Sequence, residues 1–568
     1  MMIQKNHENE INFRGQYPTQ LKFGTSGLRG LVEDMTDLEV YINATGFLDH
    51  LIETGVVQVG NAICIAGDLR PSTHGAERSI LRVVARSIKD AGLRIRYLGR
   101  IPTPALTCFA MHHGEASIMV TGSHIPFDRN GIKFNKPSGE VLKSDESVIL
   151  SAVLAARRLQ YALPSERSLF DNSGWLKSEA IVELPEVENL ADTFYLGRYR
   201  DFFPSHFLRE KRLLVYQHSA VGRDLLVELL TSLGAHVIPV GRSETFVPID
   251  TENITTEQLK QLQTFVDRHA EGEKPFDAVI STDGDSDRPL VCGIDVWGSV
   301  HCINGDLLGL LTADFLEADA VVVPISTNDA VDQYFKTKEI QPYKTKIGSP
   351  HVIQTMEALR HEGIQQVMGW EANGGFLTMN DLEIDEGKLS ALPTRDAFLP
   401  ILSVLHASVK KGMSLIDLLG TLPARFGRSG LIDAFPKASS QSLMTRWTPE
   451  IRGLLDWELR DGHVQLRFTN GERRTADQEE CLMIAHLCEE ADRYFLPDLG
   501  YESIQRINYI DGIRFYFKNG DIGHIRASGN APQLRFYAVA ETQDRADSMV
   551  ANAVHEPNGL LRAMEMET

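Results

Sequence analysis

Residues 62–98 read AICIAGDLRPSTHGAERSILRVVARSIKDAGLRIRYL. The apolar run Ala62–Ala66 stops at Gly67-Asp68, as a buried strand does at a turn. Apolar residues then recur at helix spacing: Ile80, Val83, Val84 and Ile88. Gly92 closes that helix, and Leu93–Leu98 returns as a second strand. The stretch is one β-α-β unit, and it predicts an α/β fold.

The same order recurs twice. Leu213–Tyr216 leads to a helix over Arg223–Leu233, then Gly234 and Val237–Val240. Ala320–Val323 leads to a helix over Ala330–Phe335 and a segment entering Lys344-Thr345-Lys346. Three related α/β domains with mixed sheets follow. After about residue 425 the period changes to two. Ile513, Phe515 and Phe517 alternate with Arg514, Tyr516 and Lys518, Asn519-Gly520 supplies a hairpin turn, and Ile525, Leu534, Phe536 and Ala538 continue the pattern. This predicts a C-terminal α+β domain. The expected boundaries are a flexible N-terminus 1–19, domains 20–180, 181–298, 299–424 and 425–550, and a polar tail 551–568. Residues 160–190 read as a connector.

The chain has 568 residues, 43% apolar and 24% charged, with a formal net charge of -20. That charge disfavours nucleic acid and anionic membranes as partners. Six cysteines with no CxxC pair read as reduced thiols. The stretch MMIQKNHENEINF lacks the apolar core of a signal peptide, and no apolar run reaches the roughly 18 residues of a membrane span. A cytoplasmic protein is expected.

Four glycine-rich polar loops stand out, one per domain. TGSHIPFDRNGIKF, residues 121–134, places Ser123 in a tight turn with His124 beside it and Lys133 behind. A serine needs a base or a charged setting to react. STDGDSDR, residues 281–288, sets Asp283, Asp285 and Asp287 at alternate positions with Arg288 following. Three hard oxygens suit Mg²⁺. Arg288 and Ile294 stand where a calcium hand needs Gly and Glu, so that reading is excluded. GWEANGG, residues 369–375, offers Glu371 and Asn373 between glycines. RASGNAPQLR, residues 526–535, offers Arg526, Ser528, Gly529, Asn530 and Arg535 to a phosphate. Each loop alone also has the composition of an ordinary solvated turn.

Taken together and in order, the four loops resemble those of the α-D-phosphohexomutase family, which includes phosphomannomutases and phosphoglucomutases. FGTSGLRG at 23–30, GDLRPS at 67–72, Pro102-Thr103-Pro104 and Lys346-Ile347-Gly348 extend the resemblance. It implies four domains around a central cleft. It also implies that Ser123 carries the phosphoryl group and joins Asp283, Asp285 and Asp287 around Mg²⁺. Arg29, His124, Lys133 and Arg288 would be the surrounding polar and proton-transfer groups. Lys346, Glu371 and Asn373 would contact the sugar, and Arg526, Ser528, Gly529, Asn530 and Arg535 would grip its non-reacting phosphate. The implied activity is that of an isomerase. It moves phosphate between C1 and C6 of a hexose phosphate through a bisphosphorylated sugar, with hexose 1,6-bisphosphate as activator and a monomer or weak dimer as the working form. Mannose is the first expected sugar, with glucose and (N-acetyl)glucosamine as alternatives. The serine loop reads TGSHIP against the familiar TASHNP, and the sugar loop reads GWEANGG against GEMSGH or GEESGG. Two other classes fit parts of the pattern. Asp283-Gly284-Asp285-Ser286 is a near miss to the DxDx[TV] of aspartyl-phosphate phosphatases, and a non-catalytic sugar-phosphate binder would use the same loops.

Overall fold

The computed structural model describes residues 13–15, 18–24, 27–75, 78–270, 274–384, 387–528 and 532–566. The chain forms two compact units: Met1–Val322 with Gly348–Leu419, and Val323–Ile347 with Gly420–Thr568.

In the first unit the opening β-α-β stretch folds as read. Strand Ala62–Gly67 is buried throughout and runs parallel to Arg94–Tyr97 on one side and Ala116–Val120 on the other. The helix Ile80–Asp90 buries Ile80, Leu81, Val83, Val84 and Ile88, and the Ser79 hydroxyl caps it by accepting from the Arg82 N–H. Arg129–Lys136 then pairs antiparallel to Ala116–Val120 and carries Leu28–Leu31 on its far edge. The sheet is therefore mixed. A second sheet orders Val300–Cys302, Pro289–Ile294, Ala278–Thr282, Arg212–Tyr216 and His236–Val240. The strand Ala278–Thr282 is parallel to Arg212–Tyr216 but antiparallel to Pro289–Ile294, so the acidic loop is the tight connection between two antiparallel neighbours. In the third sheet Ala320–Pro324 runs parallel to Val367–Trp370, which pairs antiparallel to Phe376–Thr378 and through it to Leu392–Asp396.

The second unit is built on an eight-stranded sheet from Phe426–Ile432 to Arg473–Thr475, with antiparallel pairing throughout. Phe515, Ile525, Leu534 and Phe536 point to one buried face. Residues 323–347 belong with this unit rather than with the rest of the expected third domain. Arg514 donates to the carbonyls of Ile325 and Thr327, and Arg425 pairs with Asp329 at 2.7 Å.

Three expectations need correction. Residues 551–568 do not form a polar tail. The helix Gln543–Val554 continues to residue 554, a further helix covers Leu560–Met566, and Leu560, Leu561 and Met564 are buried in the core of the second unit. The expected flexible N-terminus, 1–19, is anchored at Phe13, which is buried in the first core, while Arg14 donates to the Phe170 carbonyl. Residues 1–12 lie outside the described residues. Cys292 and Cys302 are bonded as a disulfide, against the reading of six free thiols, because the antiparallel register sets them directly opposite with Cα atoms 3.9 Å apart. Among the described residues, no helix is long and apolar enough to cross a membrane.

Candidate functional site

Ser123 sits just beyond strand Ala116–Val120, and Asp283 just beyond strand Ala278–Thr282. The Ser123 Oγ donates to Asp283 Oδ2 at 2.6 Å, and His124 Nδ1 lies 3.4 Å from the same Oγ. Ser123 has φ 55 and Ser286 has φ 57, both in the left-handed region that non-glycine residues rarely enter. Strain of this kind costs on the order of 1–3 kcal/mol per residue and persists only where surrounding structure enforces it.

The enforcing groups at Ser123 are Asp68 and Arg70. The buried Arg70 guanidinium donates to the carbonyls of Ser123, Ile125, Pro126 and Arg129, at 3.0, 2.5, 2.7 and 2.9 Å. It stacks on the Phe246 ring, 3.9 Å from its centroid, and pairs with Asp68. Asp68 in turn accepts from the Thr121 hydroxyl and the Gly122 N–H. This explains the glycine in TGSHIP. A Cβ at Gly122 would lie 2.6 Å from Arg70 Cζ, so the packed guanidinium takes the space of an alanine methyl.

Asp283, Asp285 and Asp287 are buried and bring one oxygen each within 4.8 Å of the others. Lys133 Nζ donates to Asp285 Oδ2 and Asp287 Oδ2, each at 2.6 Å. Asp285 Oδ1 and Asp287 Oδ1 find no hydrogen-bond partner among the described residues, and Arg288 Nε lies 3.6 Å from Asp287 Oδ1. Unpartnered buried carboxylate oxygens are costly, and a hard cation would satisfy them. The donor set therefore fits a divalent metal. Burial pushes the Asp283 carboxyl well above its usual range, and the charges of Asp285 and Asp287 push it further. Burial would also raise Asp287, but Arg395, Lys133 and Arg288 outweigh it and hold it low. The Lys133 ammonium would be lowered by burial, yet Asp285 and Asp287 keep it above the ordinary lysine value. Burial, with Arg288 and Arg29 nearby, pushes the His124 imidazole well down and keeps it neutral. Burial lowers Arg29 to about 10, helped by Arg288 and Arg395.

The 369–375 loop turns at Gly374, φ 83, where a Cβ would meet Pro289 Cγ at 2.9 Å. Its Asn373 Oδ1 accepts from the Gly375 N–H, and its Glu371 is buried against Arg395, Oε2 to Nη1 at 2.9 Å. The structure thus brings Ser123, His124, Lys133, the three aspartates and Arg288 together, and ties Glu371 to them through Arg395. Lys346, Arg526, Ser528 and Arg535 belong to the second unit. There Lys346 is exposed, and Asp511 Oδ2 accepts from both the Ile347 N–H and Arg526 Nε, each at 3.0 Å. Arg526 and Arg535 are partners across paired strands. Gly529 and Asn530 lie outside the described residues.

Reading the sequence alone misses Arg395 altogether, and it leaves Arg70 and Thr103 without a role inside stretches it singles out. Thr103 donates to Asp285 Oδ2 at 2.6 Å, Arg70 shapes the serine loop, and Arg395 pairs with Asp287 at 3.0 Å.

Residues 20–159 match the phosphoglucomutase/phosphomannomutase α/β/α domain I family, and residues 304–426 match domain III. The chain is 34% identical over 539 residues to a phosphomannomutase of Sinorhizobium fredii NGR234, spanning 94% of this chain and 98% of that protein. It is 35% identical over 535 residues to a phosphomannomutase of Salmonella muenchen, spanning 93% and 94%. A solved phosphoglucomutase/phosphomannomutase family protein from Burkholderia thailandensis shares the fold at 17% identity, with a TM-score of 0.61 over 94% of this chain and 98% of that one. The open form of Paramecium parafusin, a phosphoglucomutase, shares it at a TM-score of 0.59 and 15% identity, over 97% and 94%. With its serine, acidic and 369–375 loops placed as described and its relatives matched nearly end to end, the chain belongs to the α-D-phosphohexomutase family.

Proposed function

We propose that the enzyme moves phosphate between C1 and C6 of mannose phosphate, with Ser123 as the phosphoryl carrier. The observation that carries this is the Ser123 Oγ held 2.6 Å from Asp283 Oδ2, in a turn whose carbonyls Arg70 gathers. In the forward half-reaction the Oγ–P bond of phospho-Ser123 breaks as the free sugar hydroxyl bonds to phosphorus. Lys133 and His124 are the groups placed to take and return the hydroxyl proton. Asp285 and Asp287 hold Lys133 charged, so it must first give up its proton before it can act as the base, whereas His124 is already neutral. The bisphosphorylated sugar turns over, and its other phosphate passes to Ser123. A phosphoserine carries roughly -1.5 to -2 charge, so it needs the cations gathered here.

Asp283, Asp285 and Asp287, with Ser123, would hold Mg²⁺, which would supply positive charge to offset that of the transferring phosphoryl group. The N-acetylphosphoglucosamine mutase of Aspergillus fumigatus, similar in fold at a TM-score of 0.51, was solved with GlcNAc-6P and magnesium. Hexose 1,6-bisphosphate would act as activator by rephosphorylating Ser123. In the second unit, Arg526 and Arg535 are cross-strand partners, which sets two cationic side chains on neighbouring strands where an anion would be welcome. That supports a phosphate grip in which the Ser528 hydroxyl adds a donor, with Lys346, Glu371 and Asn373 on the sugar. Mannose is favoured because relatives named phosphomannomutase match at 34% and 35% identity over nearly the whole chain. A phosphoglucosamine mutase of Rhodospirillum rubrum matches at 26% over 71% of it.

The test pairs Ser123→Ala with intact-mass analysis. The wild type should carry one phosphate at Ser123, and the variant should lose steady-state activity. Phosphate at another residue, or a fully active variant, removes the phosphoserine reading. A side-by-side assay of mannose, glucose, glucosamine and N-acetylglucosamine 1-phosphates, primed with hexose 1,6-bisphosphate, decides the sugar.

A further inference from the structure

Arg395 lies on the strand Leu392–Asp396 and reaches both the acidic loop and the sugar loop. Its Nε and Nη2 reach Asp287 Oδ2, each at 3.0 Å. Its Nη1 reaches Glu371 Oε2 at 2.9 Å and Ser349 Oγ at 3.2 Å. One planar guanidinium therefore spans a carboxylate of the acidic loop and the carboxylate of the sugar loop, all of it buried. Lysine could not make both contacts in this way, because its charge is a single point.

The fork is aimed from behind. The next residue, Asp396, is buried and accepts from Tyr195 OH at 2.8 Å and Tyr199 OH at 2.5 Å. It also accepts from the Phe398 N–H, at the start of the helix Phe398–Lys411. Both tyrosines come from the helix Leu190–Arg200, and their rings pack on Phe398. On the other side, Thr394 donates to Glu140 Oε1 and Ser349 donates to Glu140 Oε2. Arg395 is thus fixed by its neighbours on both sides along the strand.

We propose that Arg395, aimed by the Tyr195–Tyr199–Asp396 cluster, is a positioning residue that couples cation binding at Asp283, Asp285 and Asp287 to the sugar-loop carboxylate Glu371. The inference rests on the reading of the three aspartates as a metal site. A divalent cation and Arg395 compete for the charge of Asp287. Glu371 draws part of the Arg395 charge away from Asp287 and so favours the cation. Removing the Glu371 charge returns Arg395 to Asp287. Such linkage is reciprocal: cation binding frees Arg395 toward Glu371 and the sugar it contacts.

A double-mutant cycle read by Mn²⁺ binding, with no sugar present, tests this. Mn²⁺ affinity is measured calorimetrically for the wild type, Glu371→Gln, Arg395→Lys and the double variant, with thermal melts to show that each is folded. Glu371→Gln should weaken Mn²⁺ binding about fivefold or more where Arg395 is present, the lower end of usual coupling. In the Arg395→Lys background the same change should have little effect. Direct attraction of Mn²⁺ by Glu371 would leave the effect equal or larger in that background, and this result overturns the proposal. Tyr199→Phe is the milder companion, since it removes one hydrogen bond to Asp396 and leaves the site residues intact. It should shrink the Glu371→Gln effect, and an unchanged effect would remove the tyrosines from the relay. If the wild type binds no Mn²⁺, or Asp285→Asn binds it equally well, the metal reading itself fails and the inference with it.

Discussion

Thr103 holds Asp285 at two points: its N–H donates to the Asp285 carbonyl at 3.0 Å, and its hydroxyl donates to the carboxylate Oδ2 at 2.6 Å. The second contact orients a proposed metal ligand from the start of the helix Thr103–His112. Thr103→Val keeps the shape and removes the hydroxyl. Outer partners of metal ligands are worth roughly 10–100-fold in affinity, so Mn²⁺ binding should weaken about tenfold while the melting temperature moves little. Unchanged affinity would make the contact purely structural.

Arg70 should matter to both fold and phosphorylation. Arg70→Lys keeps a charge but cannot serve four carbonyls. Leaving buried groups unpaired costs about 3 kcal/mol or more, read as a lower midpoint in urea. Because those carbonyls set the Ser123 turn, the fraction phosphorylated at Ser123 should fall as well. A stable variant with full phosphorylation would show that the turn holds without the guanidinium.

Arg526→Ala should weaken the 1-phosphosugar and the 6-phosphosugar by similar factors. A charge-assisted hydrogen bond is worth about 1.5–3 kcal/mol, or roughly ten- to a hundredfold. Phosphorylation of Ser123 in the purified protein should persist. If the variant binds both sugars as tightly as the wild type, the grip does not lie in this loop.

His524 gives the second unit an acid-sensitive point. It is fully buried, its Nε2 lies 2.7 Å from the Asp511 carbonyl, and burial, with Arg514 and Arg526 nearby, lowers it to about 3. Unfolded, it would titrate near ~6.5. Its contribution is therefore complete above about pH 6.5 and is lost on acidification toward pH 3, by about 1.4 kcal/mol per unit. Urea midpoints for the second unit should fall between about pH 7 and pH 5, and His524→Gln should flatten that part of the slope. A variant as acid-sensitive as the wild type would refute this.

The polar loops are legible in the chain because each is a local pattern. Asp283, Asp285 and Asp287 need only a turn between neighbouring antiparallel strands, and residues 281–288 spell that turn without interruption. Arg395 is not legible, because its meaning lies in Asp287, 108 residues away. The Cys292–Cys302 bond depends on strand register, which composition does not carry. The last helix, Leu560–Met566, escapes notice because it is only seven residues long and too short to show a period. Its packing in the core of the second unit, not its pattern, marks Leu560, Leu561 and Met564 as buried.

The segment Val323–Ile347 folds with residues made much later. Arg514 reaches back 189 positions to Ile325, and Asp511 reaches back 164 to Ile347. During synthesis this excursion emerges from the ribosome well before the strands that complete it. Its carbonyls at Ile325 and Thr327 must wait for Arg514, so the second unit cannot close until nearly the whole chain exists, and contacts so distant in sequence form slowly. A fragment beginning at Gly420 would carry Arg514 without either carbonyl acceptor. The carboxy-terminal unit is thus a joint product of two stretches of translation, and cutting the chain between them should yield a piece that aggregates rather than folds.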